Sequence, residues 1–286
     1  MSAVLYDVPG PRARARHRVY AVVGVLALVA FVGFVVYQFA DAGQFDGEMW
    51  EWILYEHVQL QLLEALGNTL RAFAVAAVLA LAFGAIFAAG RLSDHAAVRV
   101  PATIIVEFFR AVPLVVMIFF FYYGIGLGEP FHSVVFGLTL YNGSVLAEVF
   151  RAGVLSLPKG QGEAAYAIGM RKTQVMRSVL LPQALRAMLP AIISQLVVLL
   201  KDTALGFLIT YEELLRYARY LGGVVDFDRP LVPVTLVVGA MYIVMCLALT
   251  GLARYLESRN RHNRKAPDPE VTRRTENTVR EHEPLE

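Results

Sequence analysis

Residues 160–169 read Gly160-Gln161-Gly162-Glu163-Ala164-Ala165-Tyr166-Ala167-Ile168-Gly169, and 179–183 read Val179-Leu180-Leu181-Pro182-Gln183. This polar run interrupts two strongly apolar spans. Glu163-Ala164-Ala165, then Gly169, then Leu181-Pro182 predict a short helix, a glycine exit and a proline stop before a second helical run. Between membrane-buried segments, such a helix-turn-helix is built to touch something in water.

The chain has 286 residues, 57% hydrophobic and 17% charged, with a mean hydropathy of +0.54. That is too apolar for an ordinary soluble domain of this length. A net charge of +2 gives no global excess of base for nucleic acid, and the basic residues fall in blocks between apolar spans. The lone cysteine, Cys246, excludes a disulfide framework and a cysteine-based metal site, and suits a small buried hydrophobe.

A transmembrane helix needs about 20 mostly apolar residues. Roughly six stretches qualify: 19–40, 65–90, 101–123, 133–154, 189–211 and 231–254. The fold class is therefore all-α and polytopic. The first stretch follows Arg12, Arg14, Arg16, His17 and Arg18 and is longer than a secretory signal core, so it reads as an uncleaved anchor. Loops richer in Lys and Arg face the cytoplasm. The N-terminal arm, 91–99, the long 155–188 loop and the end after Arg254 are basic, whereas 41–63 carries only acids and 124–132 only Glu129. Both termini are thus expected inside. The 212–230 loop, with Arg216, Arg219 and Arg229 beside Glu212, Glu213, Asp226 and Asp228, is placed outside by parity. Trp50, Trp52 and Tyr55 predict an outer interfacial helix with its rings at headgroup depth. The segment after Arg261 lacks large apolar residues and reads as a solvated tail.

The loop is also where a family resemblance becomes specific. Glu163-Ala164-Ala165, three residues, Gly169, nine residues, then Val179-x-Leu181-Pro182 resembles the cytoplasmic loop of ABC importer permeases, with Val179 where isoleucine is more usual. Further segments resemble the polar amino-acid branch of that family, closest to its glutamate-uptake members. They are Glu107-Phe-Phe-Arg110-Ala-Val-Pro113-Leu, Glu148-Val-Phe-Arg151-Ala-Gly, Leu181-Pro-Gln-Ala-Leu-Arg186 and Leu200-Lys-Asp-Thr-Ala-Leu205. Tyr141 to Glu148 and Ile192 to Ala204 belong with them. Ala111 and Val112 depart from the more usual Gly-Thr, and Ser194-Gln195 stand where asparagine is common; these bear on the substrate rather than the class.

The resemblance covers roughly 64–255 and implies a permease core of five helices, with the helix in 19–63 an N-terminal addition, a basic arm over 1–18 and a disordered tail over 256–286. It implies a second permease subunit, like or identical, two ATP-binding subunits, and an extracytoplasmic solute-binding protein that delivers a polar amino acid. It further implies a bacterial cell membrane location. The loop would be the coupling helix, with Gln161, Glu163, Ala164, Ala165 and Gly169 at the ATPase contact. The physical demand is plain without the family: force passing from a soluble engine to a helix bundle needs a rigid short helix, small residues for close approach, and a fixed exit angle. No Gly-x-x-x-x-Gly-Lys-Ser/Thr loop occurs, so ATP and Mg²⁺ are expected on a partner chain, with no cofactor here and no catalytic or metal-ligating residues.

Ionisable residues at membrane depth usually face an interior or a cavity. Counted at ~1.5 Å per residue, Arg110 lies ~14 Å into its span, near the middle of a ~30 Å hydrocarbon core. Lys201 and Asp202 reach a similar level, as do Tyr141, Asn142 and Ser144. Arg110 suits a substrate carboxylate and Asp202 an ammonium, with Thr203, Asn142, Ser144, Tyr141 and Gln195 as neutral partners. Glu107 with Arg110 and Glu148 with Arg151 stand at i,i+3 and Lys201 adjoins Asp202, so internal ties between helices are the other reading. For Arg110 and Asp202 both stay open; for Glu148 and Arg151 a structural or gating role leads. The rival readings of the whole chain are a permease for glutamine, aspartate or basic amino acids, a non-binding partner permease, and a stand-alone secondary transporter, which often shows paired repeats not seen here.

Overall fold

A computed structural model describes residues 10–262, with side chains described to 255. The expected arm is described only from Gly10; of the expected tail, 256–262 continue the last helix and 263–286 lie outside the described residues. No strand occurs among them. Five helices are long and apolar enough to cross a membrane, or six when a broken pair counts as one span.

The helices are α1 (Pro11–Asp41), α2 (Glu56–Arg91), α3 (Ala96–Ala111), α4 (Leu114–Phe119), α5 (Pro130–Leu155), α6 (Lys159–Ala167), α7 (Lys172–Gln174), α8 (Leu181–Asp202), α9 (Leu214–Leu221) and α10 (Leu231–His262). The chain divides into two compact units, Met1–Gln61 with Ala218–Val237, and Leu62–Tyr217 with Val238–Glu286.

In the first unit α1 buries none of its residues against the protein; from Val19 to Val36 it is apolar on all sides, as a helix facing lipid must be. The 3₁₀ turn Gly47–Leu54 sits where the interfacial helix was expected. Trp52, however, is fully buried rather than at headgroup depth, and Tyr55 meets Phe227 at 5.3 Å between ring centroids. A large ring removed from any medium stabilises more than one left at an interface.

In the second unit the core gathers Ala72, Ala76 and Ala80 of α2, Ile118 of α4, Leu138 and Leu146 of α5 and Leu199 of α8. Small residues let α2 and α5 touch. A Cβ on Gly143 would lie 2.9 Å from Phe83 and 3.2 Å from the Ala80 carbonyl, and one on Gly84 would lie 2.9 Å from the Leu146 Cβ. Lipid tails give apolar helices no hydrophobic reason to associate, so close packing of this kind carries the contact.

The stretch at 101–123 is broken at its proline: α3 and α4 meet at Val112-Pro113 with a bend of 98°. Pro113 forbids the helical conformation to the residue before it, and Val112 is extended at ψ 127°. The span expected to begin at 189 begins at Lys172 and runs to Ile209, and Pro182 does not stop it. Pro182 cannot donate to a carbonyl four residues back and its ring crowds that carbonyl; the wider π turn Val175–Leu180 directly precedes it and absorbs both problems.

Candidate functional site

The loop that opened the sequence reading forms α6, nine residues long and exposed except for Ala165 at 5% and Gly162 in part. Gly169 takes φ +83°, its N–H donates to the Tyr166 carbonyl at 2.9 Å, and the Met170 N–H reaches the Ala165 carbonyl at 3.2 Å. A left-handed glycine thus closes the last turn. Gln174 then accepts the Arg171 N–H at 2.8 Å and starts the next run. Gln183 Nε2 donates to the Val179 carbonyl at 2.8 Å and to Gln161 Oε1 at 3.3 Å, tying α6 to the foot of α8. Glu163, Ala164, Tyr166 and Ile168 are exposed, Ile168 at 79%. The loop thus presents an apolar tip to solvent in a fixed geometry.

The membrane-depth candidates form two separate groups. Near the end of α2, Arg91 sits 3.1 Å from Glu107 and 2.8 Å from Glu148, Arg151 grips Glu148 at 2.6 Å, and Arg110 reaches Glu107 at 3.4 Å and Glu148 at 3.9 Å. Three guanidiniums face two carboxylates, a surplus of one positive charge. Arg110 is the loosest member, its side chain 37% exposed against 7% for Arg91.

Further along α5, Asn142 Oδ1 accepts from Gln195 Nε2 at 2.7 Å and its Nδ2 donates to the Leu138 carbonyl at 3.2 Å, with the Asp202 carboxylate beside it. Thr203 is buried and donates to the Leu200 carbonyl at 2.7 Å. Ser144 is fully buried with no hydrogen-bond partner among the described residues. Tyr141 is half-buried against the core. The single level expected from residue counting therefore resolves into two: Asn142, Gln195 and Asp202 meet, and Arg110 belongs instead to the ionic group. Counting 1.5 Å per residue assumed an unbroken helix, which the 98° bend disallows.

A third group escaped the sequence reading. Glu213, fully buried, accepts N–H bonds from Leu215 at 2.8 Å and Arg216 at 2.7 Å, and the Tyr242 hydroxyl donates to it at 2.9 Å. Thr69 accepts the Leu214 N–H at 3.2 Å, Tyr211 donates to the Asn68 carbonyl at 2.7 Å, and Asn68 donates to the Glu212 carbonyl at 2.9 Å. Burial raises the Glu213 carboxyl to about 7, against the pull of those three donors. The available signal was a lone set of polar residues, Asn68, Thr69 and Tyr242, inside otherwise apolar spans.

Residues 80–262 match the family described as "Binding-protein-dependent transport system inner membrane component". The chain belongs to this family. The glutamate transport system permease protein GluD of Corynebacterium glutamicum is 41% identical over 230 residues, 78% of this chain and 83% of that protein. The glutamate/aspartate import permease protein GltK of Escherichia coli O157:H7 is 32% identical over 210 residues, 69% of this chain and 92% of its own length. Among solved structures, an amino acid ABC transporter crystallised with histidines is 28% identical, covering 70% of this chain and 94% of that one at a TM-score of 0.64. This ABC permease is accordingly a multi-pass membrane protein and a transporter subunit, and α6 occupies the position that the loop motif predicted.

Proposed function

We propose that this permease imports glutamate, or a near relative among polar amino acids, into a bacterial cell, with both termini cytoplasmic. ATP and Mg²⁺ are held by two separate ATP-binding subunits, each docked on an α6 through Gln161, Glu163, Ala164, Ala165 and Gly169. A second permease, alike or identical, completes the pathway, and an extracytoplasmic binding protein delivers the amino acid. The observation that carries the energy coupling is the exposed, glycine-closed α6 tied to α8 by Gln183. Movement of its tip reaches a spanning helix without an intervening flexible linker.

On the substrate side, the surplus positive charge beside Glu107 and Glu148 and the loose contacts of Arg110 suit a substrate carboxylate. Asn142 and Glu148 are six residues apart on α5, ~9 Å along its axis. An elongated acidic amino acid bridges the two levels, its carboxylate at Arg110 and its ammonium toward Asp202, with Tyr141, Asn142, Ser144, Gln195 and Thr203 shaping the passage.

The test is uptake of labelled glutamate by proteoliposomes that contain the permease pair, the ATPase and the binding protein. Arg110→Gln and Asp202→Asn should each raise the half-saturating glutamate concentration several-fold. Unchanged concentration dependence in both variants overturns the substrate assignment, and uptake without the ATPase overturns the coupling.

A further inference from the structure

Within the second unit a cavity of about 540 Å³ opens between the last turns of α2, the turn after it and the run that starts at Lys172. Its volume lies in the range of specific small-molecule pockets. Ala85, Ala88 and Ala89 of α2 and Val154 of α5 make an apolar floor, with Lys172 and Arg177 at the wall. The alanines leave room because their side chains end at Cβ. Lys172 bonds to the Leu92 carbonyl at 3.3 Å and pairs with Asp94 at 2.5 Å, whereas Arg177 makes no ion pair among the described residues. Arg99 adds charge beside the same turn through the Ser93 and Asp94 carbonyls. The rim carries more positive than negative charge while the floor is apolar.

Arg91 ends α2 and Lys172 begins a spanning run, so the rim stands at the level where helices leave the hydrocarbon. An occupant with an anionic head at this level and an apolar body below it satisfies both surfaces. We propose that the cavity holds an anionic phospholipid of the cytoplasmic leaflet, its phosphate between Lys172 and Arg177 and its acyl chain over Ala85 and Ala88. The leaflet follows from the proposed orientation. Lys172 lies three residues beyond Gly169, and Arg177 sits on the π turn, so the lipid wedges the stalk of α6 against α2.

The probes are dioleoylphosphatidylglycerol and dioleoylphosphatidylcholine, titrated onto the detergent-purified full chain and counted by native mass spectrometry. The phosphatidylglycerol should be retained about tenfold more tightly, as the anionic partner of the basic rim. Lys172→Gln with Arg177→Gln should remove that preference, and Ala88→Phe, which fills the floor without touching charge, should weaken retention of both lipids. The preference should survive Arg12→Gln with Arg16→Gln. Retention of the preference by the first pair, its loss in the second, or unaltered retention in Ala88→Phe overturns the proposal. The measurement needs no ATPase, binding protein or transport, so its failure is distinct from a failure of the coupling assignment.

Discussion

Glu213 offers a perturbation whose size can be worked out beforehand. Burial lifts its carboxyl from an ordinary 4.5 to about 7, and the ordinary value returns when α9 opens to water. Between those values the closed segment holds a proton that the open one has released. Stability of the closed state therefore falls as pH rises from 4.5 toward 7, and is level above 7, where both states are ionised. Across pH 5 to 8 the loss is between about 2 and 3 kcal/mol, roughly a fifty- to hundredfold change in opening. The neighbouring Tyr211 does not titrate in this window, because burial pushes its phenol up to about 12. Amide hydrogen exchange over Leu214–Leu221, corrected for the intrinsic pH dependence of exchange, reads the opening directly. Protection should fall by that factor from pH 5 to pH 8 in the native chain. In Glu213→Gln, whose amide oxygen still accepts from Leu215 or Arg216, protection should be flat. An equal slope in the variant, or protection rising with pH in the native chain, refutes the reasoning.

Three further outcomes follow from contacts. Gly143→Ala forces a Cβ to 2.9 Å from Phe83 and 3.2 Å from a backbone oxygen. It should cost about 1–3 kcal/mol, read as a lower thermal midpoint in detergent, while Gly239→Ala, with open space around it, should cost nothing. Gly169→Pro removes the donor to Tyr166 and forbids φ +83°; uptake should fall at least tenfold while membrane insertion, assayed by protease protection, is unchanged. Arg91→Ala strips the most buried guanidinium from Glu107 and Glu148 and should destabilise by about 3–5 kcal/mol, more than Arg110→Ala, in a comparison of unfolding midpoints.

What was legible from the residues was what local pattern decides. Runs of apolar residues located the spans, and the Glu163-to-Pro182 spacing located α6, because a helix, its glycine exit and the following start are all settled within about a dozen residues. The errors arose where distant groups decide. Pro182 reads as a stop unless the wider turn before it is seen, since one residue's register shift is invisible in composition. Arg91 was weighed only as a loop charge for topology, yet its side chain is 7% exposed because carboxylates on two other helices reach it. Glu213 likewise counted as one acid among several in a loop, and only Tyr242, 29 residues on, shows why it is buried.

The broken third span links these errors to function. Where α3 stops at Ala111 and α4 resumes at Leu114, the helical ladder is interrupted at membrane depth; the Val112 N–H donates to the Phe108 carbonyl at 3.2 Å and the Pro113 carbonyl accepts the Met117 N–H at 3.2 Å. Lipid cannot satisfy backbone groups freed by such an interruption, so a break at this depth is sustained where protein or water lies against it. Arg110 stands one turn or less from that break, with surplus charge around it and the longest ionic contacts of its group. A guanidinium so weakly paired is costly in hydrocarbon and inexpensive beside water. On the substrate reading proposed above, the Pro113 break and the loose pairing of Arg110 together fit this guanidinium to meet a carboxylate arriving along the pathway. Asn142 is already engaged by Gln195 at 2.7 Å and by the Leu138 carbonyl at 3.2 Å. On that reading the loosely held arginine, rather than the amide cluster, is where an incoming anion changes the energy most.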